Sequence, residues 1–199
     1  MGMGINNMGV VNAQHGVCGF TSSLYALYTK SPRPSLVKGA KVETRMMAEI
    51  KTYLTMLKAE GRADLLSQIK DFTTSFPGYG GFTIDGYIQK INQAVVTGVS
   101  DFSIALPPAV VVDYLHRACD FKSAKEVGVT TTGIEFILGV RDANGKSTPL
   151  NGLIHWVYYL NGTVYSWGAQ FPNGNEAASV AAAGQSQGTT YQVVYKIIP

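Results

Sequence analysis

In the N-terminal part of the chain, hydrophobic residues return every three or four positions; in the C-terminal part they crowd into short runs bounded by turn residues. Phe20, Leu24 and Leu27 predict a helix from about Cys18 to Thr29, stopped by "KSPRP". Met46, Ile50, Leu54 and Leu57 form the stripe of a second helix that ends near Gly61, and Leu65, Ile69 and Phe72 that of a third, broken at Pro77. After the loop "PGYGG", a helix carrying Ile84, Ile88, Ile91 and Val95 closes at Gly98. "PPAVVVDYLHRACDF" starts another, because proline is tolerated in a first turn whose N–H groups lack partners anyway.

The period then changes. "IEFILGVR" (134–141) is rich in β-branched residues and is followed by the turn signal "DANG". "LIHWVYYLNGTVYSW" predicts a strand pair, with Asn161-Gly162 supplying the positive φ angles of a tight hairpin turn. "TYQVVYKII" predicts a last strand, and "NEAASVAAAGQSQG" before it reads as a short helix or a loop. Helices first and strands afterwards make one α+β domain over residues 1–199, with an antiparallel sheet.

Composition narrows the function classes. With 46% hydrophobic and 15% charged residues the chain is globular, and its low charge density suits a surface partly covered by a partner. A net charge of +3, spread along the chain, is no footprint of a nucleic-acid binder. The first seventeen residues contain no Lys or Arg, so no secretory signal is expected; no apolar run reaches the length of about 18–20 residues that crosses a bilayer. A soluble protein is expected, exported if at all by a specialised route. Cys18 and Cys119 are expected to be free thiols, and no cofactor or metal site is expected.

Cys18 draws the chemistry. A thiol attacks as thiolate, and the unpaired N–H groups and positive dipole end of a helix N-terminus favour that anion. Gly16 and Gly19 would let the backbone bend and a substrate come close. Gln14, or else Asn12, can join the Cys18 N–H as an oxyanion donor. The plain alternative is a small core cysteine.

Three histidines are available as base. His15 lies in the loop before Cys18, and His116 stands three residues from Cys119 on one helix with no further ligand to complete a metal site. His155 opens the most apolar strand and suits a rigidly held general base. If Asn161-Gly162 is a two-residue turn, Leu160 faces Thr163, Trp156 faces Trp167 and His155 faces Gly168. Gln170 then lies on the diagonal, where its amide oxygen can orient the imidazole; Ser166, Asn173 and Asn175 are the other candidates.

"GVCGFTSSLYALY" and "HWVYYLNGTVYSWG" together resemble the papain-like cysteine hydrolases. These share an amide-bearing residue, a cysteine opening a helix, a histidine starting a strand, and Asp, Asn or Gln on the neighbouring strand. The resemblance implies a helical layer carrying Cys18, packed on an antiparallel sheet carrying His155, with Gln14 at the oxyanion and Gln170 as third residue. The chain departs from the papain type in having Tyr165 where Asn precedes "SWG", and a shorter gap between Gln14 and Cys18.

The resemblance implies an amide-bond hydrolase, protease or glutamine deamidase, working through a thioacyl intermediate on a protein or peptide, of the bacterial effector or toxin kind. A cognate inhibitor or chaperone is a further partner it implies. The alternatives are a peptidoglycan amidase, and a non-catalytic binding module whose eleven tyrosines serve an interface.

Overall fold

Cys18–Lys30 form α1, the helix around which the N-terminal layer is built. The structure, a computed structural model, describes residues 16–30, 42–97, 101–145 and 149–199. Every residue of α1 from Gly19 to Tyr28 is buried, including Thr21, Ser22 and Ser23. Thr21 and Ser23 tolerate this because each hydroxyl donates to the carbonyl four residues back, Val17 and Gly19 respectively. Around α1 stand α2 (Val42–Ala59), α3 (Ala63–Thr74), α4 (Ile84–Thr97) and α5 (Pro108–Arg117). Phe20 meets Tyr53 of α2 and Tyr114 of α5 edge-on, at centroid distances of 6.0 and 4.8 Å.

The chain then enters an antiparallel sheet of β1 (Lys125–Val127), β2 (Glu135–Asp142), β3 (His155–Leu160), β4 (Thr163–Ser166), β5 (Ala169–Pro172) and β6 (Tyr191–Ile198). Its six strands run in the order β1-β6-β2-β3-β4-β5. On one face Ile137, Trp156, Tyr158 and Ile197 complete the core of the helical layer. On the other, Phe136, Leu138, Val157 and Tyr159 pack with Val180 and Ala183 of α6 (Glu176–Ser186). Cover on both faces is why β2 and β3 read as continuous apolar runs. Of the segment 175–188, Glu176–Ser186 is helix. Its first turn is clipped to the sheet by Lys196, whose ammonium donates to Glu176 at 2.8 Å and to the Thr131 carbonyl at 2.9 Å.

The α+β order of helices and strands is as expected, and so is the first hairpin: Leu160 pairs with Thr163 across Asn161-Gly162, both with positive φ. The expected continuation of that register is corrected. Trp167 and Gly168 also take positive φ, 50° and 79°, and form a second tight turn. β4 ends at Ser166, and the chain folds back so that Ser166 pairs with Ala169 and Tyr165 with Gln170. Trp167 consequently never faces Trp156. The short strands β1 and β5 lie outside the sequence expectation.

Candidate active site

Cys18 is the first residue of α1 and is part-buried. Burial pushes its thiol up to about 11, against the N–H groups of Trp156, Gly19 and Cys18 itself, which face the sulfur and favour its anion. The expected helix-end stabilisation is present, and desolvation outweighs it. Through the Trp156 N–H the sulfur touches the start of β3, across the boundary between the helical layer and the sheet.

The neighbouring glycines serve close packing. Gly16 has φ +59°, and a Cβ there would stand 2.9 Å from Ser103 Oγ. A Cβ on Gly19 would stand 2.8 Å from Leu106 Cβ. Both positions let the start of α1 sit directly on segment 101–106, where the Ile104 N–H donates to the Gly16 carbonyl. At Gly19 the space goes to Leu106, so room for a substrate is not what that residue provides.

His155 opens β3 and is 3% exposed. Its Nε2 lies 2.9 Å from Ser166 Oγ, and its ring stacks on Trp167 at 4.3 Å between centroids and 8° between planes. Tyr191 borders the ring at 6.0 Å, and the Trp167 indole N–H donates to the Tyr191 hydroxyl at 3.4 Å. With no charged partner among the described residues to offset its burial, the imidazole is pushed down to about 3 and is neutral at neutral pH. Trp167 holds this position at the cost of a left-handed backbone conformation that a bulky residue adopts rarely.

Cys18 and His155 line one cleft of about 160 Å³. Its walls are mostly apolar, contributed by Phe76 and Tyr79 beyond α3, Ile104, Ile154 and Trp167. Ile154, at the rim, is 41% exposed.

Other candidates lie elsewhere. The expected contact of Gln170 with His155 is corrected: Gln170 is exposed on β5, opposite Tyr165, with β4 between it and β3. Ser166, on the strand next to β3, holds the imidazole instead. Asn175 caps α6, its side chain accepting from the Ala178 N–H, and the Asn173 N–H donates to Ser179 Oγ. His116 Nε2 donates to the Ala124 carbonyl at 2.7 Å, and Cys119 is 2% exposed. Asn12, Gln14 and His15 fall outside the described residues.

Sequence reasoning missed Trp167 as the ring that covers His155. Its signal was the Trp-Gly pair, a tight turn that tryptophan disguises. Among the described residues no group of three or more His, Cys, Asp or Glu gathers at one place, and no helix is long and apolar enough to cross a membrane. No protein-family model, curated protein or solved structure matches the chain.

Proposed function

We propose that the protein is a cysteine-dependent amide hydrolase on a papain-like fold, with Cys18 as nucleophile, His155 as general base and acid, and Ser166 as the residue that orients the imidazole. One observation carries the reading: residues far apart in sequence bring a thiol at a helix start and a tethered imidazole to the walls of the same cleft.

The neutral states of both groups favour one form of the mechanism. His155 takes the thiol proton as Cys18 attacks the amide carbonyl carbon, so no ion pair need exist at rest. The tautomer this requires carries its proton on Nε2, donating to Ser166 Oγ, and leaves Nδ1 to take the thiol proton. The tetrahedral oxyanion rests on the Cys18 N–H; Gln14, expected from the sequence as a second donor, lies outside the described residues. Return of the proton to the leaving nitrogen breaks the C–N bond and leaves a thioester. Water, deprotonated by the same imidazole, splits the thioester into a carboxylate and the free thiol.

The test is to incubate the protein with a heat-denatured proteome and with peptidoglycan, scoring backbone cleavage, side-chain deamidation and released peptides by mass spectrometry. Products that vanish in both Cys18→Ala and His155→Ala support the reading. Products equally abundant in Cys18→Ala overturn it. A non-catalytic binding module is the second reading, favoured by the uncharged resting states of thiol and imidazole; it expects no Cys18-dependent product from any of these materials.

A further inference from the structure

The Cys18 cleft does not end at its own walls. Tyr79 and Ser103 also line a second, more open compartment of about 320 Å³, whose other side runs from Gly78 through Phe82 and Tyr87 to Lys90. The two compartments therefore share a ridge. That ridge is held by Asp101: one carboxylate oxygen accepts from the Ser103 N–H at 2.9 Å and its hydroxyl at 2.6 Å, the other from the Tyr79 hydroxyl at 3.1 Å. Burial pushes the Asp101 carboxyl up, but these bonds and nearby Lys90 outweigh it and hold it below its ordinary range.

The second compartment is shaped for main chain. A Cβ built on Gly78 or Gly81 meets nothing among the described residues within 4 Å, so that part of the lining is bare backbone beside open space, which another chain can approach closely. In the same lining, the Phe82 and Tyr87 rings lie 5.6 Å apart between centroids, and Tyr87 is fixed by donating to the Phe102 carbonyl at 2.6 Å. Lys90 donates to the Asp101 carbonyl, leaving further ammonium protons for the carbonyl oxygens of a bound chain. Alone, the Cys18 cleft falls below the range of about 300–1,000 Å³ usual for ligand sites; joined to the second compartment it falls within it.

We infer that the two compartments are subsites of one groove and that its ligand is an extended polypeptide, laid over the Tyr79–Ser103 ridge with one part at Cys18 and a part several residues away in the Gly78–Lys90 compartment. This rests on the proposed hydrolase reading and sharpens it, since a free amino-acid amide or a lone projecting side chain would leave the second compartment empty. Binding energy gained there is available to the reaction at Cys18, so short substrates lose turnover as well as affinity.

The experiment uses the full chain and a mixture of end-blocked random tetrapeptides and dodecapeptides, with cleavage and deamidation followed by mass spectrometry. Dodecapeptides are expected to be consumed at least about tenfold faster per molecule than tetrapeptides. In Lys90→Ala and Phe82→Ala, and in Asp101→Asn, which keeps the shape of the clasp and removes its charge, that ratio falls towards one, while thermal melts confirm folding. Equal consumption of both lengths by the wild-type protein, or a ratio unmoved by all three substitutions, overturns the groove. Peptide consumption no greater than that of Cys18→Ala overturns the groove, and the hydrolase reading falls with it only where the proteome and peptidoglycan also yield no Cys18-dependent product.

Discussion

Among the described residues the chain has two cysteine–histidine neighbourhoods, and they differ in everything except residue type. Around the end of α5, His116 and Cys119 are three positions apart, and the histidine spends Nε2 on the Ala124 carbonyl while the cysteine is sealed in the core. At the other, Cys18 and His155 come from opposite halves of the sequence, meet at one cleft, and the histidine is steered by a side chain, Ser166. Closeness along the sequence gives packing in the first case. A cleft and an oriented ring are what the chemistry proposed for the second rests on.

The most direct way to break this comparison is to exchange the fates of the cysteines. Cys18→Ala should lower amide hydrolysis by about a thousandfold or more, as loss of a nucleophile does. Cys119→Ala should leave turnover within about twofold and cost about 1 kcal/mol of stability through a small core cavity. Initial rates and urea melts of both variants check this; a Cys119→Ala protein as inactive as Cys18→Ala would erase the distinction.

A second substitution pair tests what steers His155. Ser166→Ala removes the hydroxyl at Nε2 and leaves the ring to Trp167 and Tyr191, so kcat should fall by about tenfold to a hundredfold with little change in KM. Ser166→Thr, which restores a hydroxyl, should recover part of the loss. Gln170→Ala, on exposed β5, should change kcat by less than about twofold. The reverse ranking would return the orienting role to Gln170.

That pair also marks how far the sequence could be read. Periodicity located α1 to α5, and Asn161-Gly162 announced its hairpin because asparagine and glycine accept positive φ. The same reasoning placed Cys18 at a helix start and His155 at a strand start, where both stand. It failed at Trp167-Gly168, since tryptophan advertises a strand and its left-handed φ of 50° is imposed by tertiary contacts with His155 and Tyr191. One hidden turn moved Gln170 a full strand away. The short strands β1 and β5 escaped for a related reason: strands of three and four residues carry too few positions to show a period. Burial at the site was equally hidden, because the position of Cys18 at a helix start predicts a lowered thiol and only the packed structure shows desolvation winning.

The last effect is a dependence of stability on pH that the burial of His155 should produce. In the native protein burial holds the imidazole down at about 3, whereas an unfolded chain titrates it near its ordinary value of 6.5. Above that ordinary value neither state binds the proton, and the contribution to stability is complete. As pH falls from there towards 3 the unfolded chain takes up a proton that the native state refuses, and stability is lost at about 1.4 kcal/mol per pH unit, a tenfold change in the folding equilibrium for each unit. Below 3 both states are protonated and the loss levels off. Carboxylates add their own slopes, so the measurement is a difference: urea melts of wild type and His155→Phe at pH 7, 6, 5 and 4. The phenyl ring keeps the stack on Trp167 without titrating, and the orphaned Ser166 hydroxyl adds only a pH-independent offset. The gap between the two proteins should therefore shift in favour of the variant by about 1.4 kcal/mol per unit on the acid side. Parallel lines would mean that the imidazole takes its proton in the folded protein as readily as in water, which a ring enclosed by Ser166, Trp167 and Tyr191 should not do.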